Sequence, residues 1–224
     1  MLSQLFAIIV TIVGYKGATS ITSRFPRLQP LIVAVLLVWL MWWLFSGDWE
    51  SFSAGGQWIS FWLGPATVAL AVPLAKQIRE FAHIWKGVLL GVAVGCAVAI
   101  LTVYVIHWFL GSDELLVKSM LSKSVTTPIA LELARSVGGV PALTAFFTAL
   151  TGMIGVLIAR PVLKWGGIRE DWAIGIAVGT SAHAIGTASL NRISPVQTAA
   201  SSVAMIVAGV ITSIYLIPFS FSFF

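Results

Sequence analysis

Seven runs without a charged residue fix what this chain can become: 1–15, 28–47, 51–75, 87–112, 136–159, 172–191 and 193–224. Most approach or exceed the roughly 20 residues a helix needs to cross a bilayer. Lipid offers no hydrogen bonds to a backbone, so each spanning segment must satisfy its own N–H and C=O groups. Hydrophobic residues make up 58% of the chain, only 9% are charged, and mean hydropathy is +0.99. The expected class is an all-α, polytopic integral membrane protein of about seven transmembrane helices, with an additional broken or re-entrant element around Thr126 and Thr127. A barrel does not fit, because barrel strands alternate polar and apolar residues at period two and these runs do not.

Basic residues gather in three short loops: Lys16, Arg24 and Arg27; Lys76, Arg79 and Lys86; Arg160, Lys164 and Arg169. The positive-inside rule makes these loops cytoplasmic and accounts for the net charge of +5 without nucleic acid as a partner. Asp48 with Glu50, and Asp113 with Glu114, then fall on the opposite side, together with the N-terminus. Trp39, Trp42, Trp43, Trp49, Trp58 and Trp62 crowd the first acidic loop, as an interfacial aromatic belt does. No basic leader precedes the first run, which reads as an uncleaved span. Cys96 is the only cysteine, so an intrachain disulfide or thiolate metal cluster is impossible.

Polar residues interrupt this apolar chain in three places, and in hydrocarbon such residues face a cavity, a solute path or another helix. In KSVTTPIALELARSVGG (123–139), Pro128 disfavours a helical Thr127, so the backbone there is extended or at a helix start. Free amides, the hydroxyls of Ser124, Thr126 and Thr127, and the positive end of a helix beginning at Pro128 suit a small carboxylate or other oxyanion, with Lys123 strengthening the attraction. The same hydroxyls serve equally as helix caps, and Glu132 with Arg135 can form a structural ion pair. In GTSAHAIGTASLNR (179–192), Ser181, His183 and Thr187 share one helical face, with Gly179 and Gly186 admitting a neighbouring backbone. His183 either relays a proton or is a neutral histidine bonded across helices. Asn191 and Arg192 are ligands or a cap and an interfacial anchor. In LGPATVALAVPL (63–74), Gly64, Pro65 and Pro73 flank Thr67 and either break a helix as a third wall or kink a packing helix. Gly87, Gly91, Gly95 and Ala99 form a small-residue ridge suited to internal packing or a homodimer contact. A weak repeat at about 115 residues sets Gly64 against Gly179. It suggests inverted halves, 1–112 and 113–224, within a single domain spanning 1–224. No metal-ligand spacing, phosphate loop or nucleophile elbow is present, so neither an enzyme nor a cofactor is expected.

The stretches LGPATVALAVPLAKQ, KSVTTPIALELARSVGG and GTSAHAIGTA resemble the LrgB/CidB family of bacterial membrane proteins, over essentially the full chain. The resemblance implies an antiholin-like or holin-like modulator of murein hydrolase activity in the bacterial cytoplasmic (inner) membrane, acting with a small LrgA/CidA-like partner. A related plant plastid protein exchanges glycolate and glycerate, and bacterial relatives are associated with pyruvate uptake. By the same likeness the substrate-binding residues are Ser124, Thr126, Thr127, Pro128, Ser181, His183 and Thr187, with Gly64, Pro65, Thr67, Lys123, Glu132, Asn191 and Arg192 as secondary candidates. One departure is the SMLS ahead of Lys123, where the family places a proline. Many spans with localised polar breaks favour a solute carrier over a lesion former. The expected activity is therefore transport of small monocarboxylates, with a non-transporting regulator of autolysis as the alternative.

Overall fold

A computed structural model describes residues 2–25, 28, 30–45, 48–62, 65, 68–69, 72, 75, 84–191 and 193–221. Among the described residues the chain is all-helical, with nine helices, and five of them are long and apolar enough to cross a membrane. The chain separates into two compact units, Met1–Ala66 and Thr67–Phe224.

The first unit holds α1 (Leu2–Arg24), α2 (Pro30–Phe45) and α3 (Trp49–Phe61). Helix α1 runs on through Lys16, which the sequence reading put in a loop. Past that residue the hydroxyls of Thr19, Thr22 and Ser23 bond back to carbonyls of the same helix, so polarity costs the helix little there. Gly55 of α3 lies against α1, where a Cβ would come within 2.7 Å of the Gln4 carbonyl oxygen. Trp42 is fully buried with Ala7 and Val10, so it belongs to the core and not to the belt. Its indole N–H donates to the Asp48 carbonyl at 2.9 Å, which satisfies its one polar atom. Asp48 in turn caps α3 by accepting from the amides of Glu50 and Ser51. Hydrogen bonding from the Ser51 side chain, joined by those two amides, holds the Asp48 carboxyl below the usual carboxylate range. At 13 residues α3 is too short to cross a bilayer, and most of the remainder of the 51–75 run, including Gly64, Thr67 and Pro73, lies outside the described residues. Pro65 is described and exposed.

The second unit contains α4 (Trp85–Leu110), α5 (Glu114–Met120), α6 (Thr127–Ser136), α7 (Pro141–Trp165), α8 (Asp171–Leu190) and α9 (Pro195–Phe221). Helices α5 and α6 rise only about 10 and 15 Å, so neither crosses the roughly 30 Å hydrocarbon core. They form a hairpin. Ser122 Oγ donates to the Ala130 carbonyl at 3.0 Å, Val117 packs with Val137, and Ser119 Oγ accepts from the Val140 amide at 2.8 Å. At its root Gly138, with φ of 75°, lets the amides of Gly138 and Gly139 close the last turn of α6 on Arg135 and Ala134.

Helix α8 corrects the expectation of a plain span over 172–191. His183 has φ 41° and ψ −136°, and the helix breaks there. A Cβ on Gly186 would lie 3.2 Å from the Val178 carbonyl oxygen, although eight residues of straight helix separate their Cα atoms by about 12 Å. Leu190 likewise clusters with Val178 and Ile174. The arm 171–182 therefore enters the unit, reverses at His183, and returns as 184–190. Helix α9 begins beside the root: Asp171 accepts from Ser194 Oγ and Gln197 Nε2, both at 2.8 Å. Helix α9 then runs parallel to the ingoing arm, so tightly at Gly179 that a Cβ would meet the Ser201 carbonyl oxygen at 2.2 Å.

The unit thus comprises three long helices, α4, α7 and α9, and two hairpins that enter from opposite ends. The core between α4 and α9 includes Val88, Val92, Cys96, Ala204 and Ala208. Each hairpin is followed by a long helix, and the two pairs run in opposite senses. Pro141 and Pro195, Thr144 and Thr198, and Gly155 and Gly209 are each 54 residues apart, and so are Thr126 at the first turn and Thr180 in the ingoing arm just before the second. An inverted repeat of this kind is half the length of the register at 115 residues, whose first member falls mainly outside the described residues.

Candidate functional site

Helix α7 brings the two breaks together. Thr144, Thr148 and Gly152 recur every four residues and form a buried stripe along it. Thr144 Oγ1 donates to the Ser119 carbonyl at 2.9 Å, which fixes the first hairpin. One turn further, the Thr148 carbonyl meets His183 Nε2 at 2.9 Å, which fixes the tip of the second. Gly152 makes room for that tip, since a Cβ there would lie 2.9 Å from His183 Cε1 and 2.8 Å from Ile185 Cδ1.

A carbonyl only accepts, so His183 donates from Nε2, and in the neutral imidazole Nδ1 is then an acceptor. That Nδ1 is buried without a partner, and so are Thr148 Oγ1 and Thr126 Oγ1. Buried polar atoms left unpaired are costly, and where they cluster near backbone breaks they mark places that a ligand or proton can complete. Thr126 has the extended conformation of an N-cap and stands at the N-terminus of α6, where the first amides have no intrahelical acceptor, while Thr127, directly ahead of Pro128, is already helical. Its side chain makes no cap bond.

Between the hairpins and α4 lies a cleft of about 850 Å³. Lys123 and Ser124 come to it from the first hairpin, Thr180 and Ser181 from the second, and Thr151 from α7, while Gly87, Gly91 and Gly95 of α4 supply the facing wall. The glycine ridge therefore faces inward, with Gly91 against Ile176 and Gly95 against Thr180. Among the described residues Lys123 is the only charged one on the cleft wall, and its ammonium donates to Ser124 Oγ at 3.3 Å. Among the described residues the ion pairs are Lys118 with Glu114 and Arg135 with Glu132, so Lys123 has no carboxylate counterpart.

Of the residues singled out in the sequence, Ser124, Ser181 and Lys123 line this cleft. Thr126 and His183 lie buried at the turns, and Thr127 and Pro128 are half-buried at the start of α6. Thr187 is placed otherwise. Its hydroxyl donates to the His183 carbonyl and accepts from Ser201 Oγ, both at 2.8 Å, so it ties the returning arm to α9. Glu132 is exposed and paired with Arg135, Asn191 is exposed at the end of α8, and Arg192 lies outside the described residues. Thr148, Thr151, Gly152, Thr180 and Ser201 were not anticipated. The signal for two of them, Thr and Gly recurring at i+4 from Thr144, was present on a helix that otherwise reads as a plain span.

The LrgB-like family matches residues 11–222. YwbG of Bacillus subtilis (strain 168), itself uncharacterised, is 37% identical over 227 residues, covering 100% of both chains. YxaC of the same organism, also uncharacterised, is 34% identical over 93% of this chain and 91% of its own. A Bacillus mycoides (strain KBAB4) protein named antiholin-like protein LrgB is 33% identical over 92% of this chain and 91% of its own. No solved structure matches the chain.

Proposed function

The chain belongs to the LrgB-like family, and from that premise we propose that it carries small monocarboxylates of the pyruvate, glycolate or glycerate type across the bacterial cytoplasmic membrane. One observation supports this most: two hairpins from opposite ends turn beside the middle of α7, around a cleft whose only charge among the described residues is Lys123, in no ion pair with any of them. Irregular backbone at membrane depth is tolerated where it lines a cavity, and oppositely entering broken helices are what alternating access needs. In this reading Lys123 attracts the carboxylate, and Ser124 and Ser181 hydrogen-bond its oxygens. The unpaired Thr126 hydroxyl and α6 amides complete the anion site, and the fixed Nε2 proton leaves His183 Nδ1 free to accept a substrate hydroxyl. Thr127 and Pro128 hold the turn, and Thr187 holds the second hairpin. The protein acts as a carrier and not as an enzyme, alone or with an LrgA/CidA-like membrane subunit.

The test is uptake of labelled pyruvate and glycolate into proteoliposomes. Lys123→Met removes a charge-assisted contact of about 1.5–3 kcal/mol, so KM should rise roughly tenfold to a hundredfold with the protein still folded. Equal flux in the variant, or flux that never saturates, overturns the assignment. A second reading has support in the relatives named antiholin-like: a regulator of murein hydrolases that moves no solute. It predicts no uptake with or without a partner subunit, and altered autolysis when the gene is deleted.

A further inference from the structure

A second cavity, of about 720 Å³, opens where α7 ends and the second hairpin has its root. Arg160, Lys164 and Arg169 stand on its wall, and among the described residues no carboxylate does. None of the three forms an ion pair among the described residues. Of the two carboxylates at the root, Glu170 is exposed and does not line the cavity, and Asp171 is already engaged by Ser194 and Gln197. The rest of the lining is largely aliphatic and includes Leu163, Ile174 and Val178. Trp165, which follows Lys164 at the end of α7, has 91% of its surface exposed, as an indole at the headgroup level does.

Positive-inside bias explains cations in a loop, but it does not require them to surround a concavity with an apolar wall between two helices. That combination is amphipathic in the sense of a phospholipid: multiple positive charges for a phosphate and aliphatic surface for the first methylenes of an acyl chain. Two arginines add planar forks suited to phosphate oxygens. We propose that this cavity binds the phosphate headgroup of an anionic phospholipid of the surrounding bilayer. The cavity adjoins the Lys123 cleft, with which it shares Ala159, Leu163 and Val178, but its cations are its own and the proposal does not rest on the transport reading. A lipid held there touches α7 and both arms of the second hairpin, because Leu163, Ile174 and Leu190 all line it.

The experiment uses the full chain in detergent with phosphatidylglycerol added, and phosphatidylcholine as the uncharged comparison, with bound lipid counted by native mass spectrometry. The variant Arg160→Gln, Lys164→Gln, Arg169→Gln is compared with a charge-matched control at residues that do not line the cavity, Lys16→Gln, Arg24→Gln, Lys86→Gln. Each cation near an anionic headgroup is worth roughly a fivefold change, so the cavity variant should lose on the order of a hundredfold in phosphatidylglycerol affinity and the control much less. An equal loss in the control overturns the proposal, since binding would then follow overall charge. Displacement by inorganic phosphate at equal concentration overturns the lipid assignment in favour of a free anion. Displacement by pyruvate overturns it in favour of a vestibule on the solute path. Melting of both variants in phosphatidylcholine at the wild-type temperature verifies that they fold.

Discussion

His183 concentrates the chemistry of the second hairpin in one residue. Its backbone occupies a positive-φ region that costs an L residue about 1–3 kcal/mol, and it persists because Thr148, Gly152 and Thr187 surround it. The expected outcome is a divergence between two substitutions. His183→Gly relieves the strain and should melt above His183→Ala by about 1–3 kcal/mol, while both lose the Thr148 bond and, on the carrier reading, solute selectivity. Melting in detergent together with uptake checks this. The contrast with Thr126 shows what was legible in the sequence. A proline in the first turn marks a helix start, so a helix opening here with Thr126 as its extended cap was legible, although Thr127, directly ahead of the proline, is helical where local sterics disfavour it. The partner of His183 lies 35 residues away on another helix, and nothing local to GTSAHAIGTASL announces that contact.

Among the elements, the apolar runs were legible because length and hydrophobicity decide whether a helix can span. Composition cannot tell a span from a hairpin of the same length. Helix α8 is 20 residues, long enough to cross, yet it doubles back, whereas α5 and α6 betrayed themselves by the charges of Asp113, Glu114, Lys118 and Lys123. Side-specific labelling separates the alternatives. In a chain without Cys96, cysteines at Asp113 and Ser136 should react from one face of the membrane, and cysteines at Arg169 and Ile193 from the other. Either pair split between faces would mean that the segment between them crosses an odd number of times. Trp42 shows the same limit within the first unit, where an aromatic-rich run gave no sign of which indole turns inward.

At the scale of the whole molecule, two inverted hairpins flanking one cleft predict exchange and not leakage. Vesicles preloaded with unlabelled pyruvate should take up labelled pyruvate several-fold faster than empty ones, because a carrier returns more readily when loaded. An unaltered initial rate would favour a pore, and no rate at all the regulator. The family itself was readable from motifs spread along the chain, but the opposite entry of the two hairpins was not, since it shows only in contacts between residues far apart in sequence. One detail of the α4–α9 seam has a practical side. The single thiol of the protein, on Cys96, is sealed there with Sγ 3.8 Å from the Ala208 carbonyl oxygen. A maleimide can reach it only when that seam parts, so the rate of alkylation of the unmodified protein is a clock for local opening, and any solute, lipid or partner that tightens the second unit should slow it.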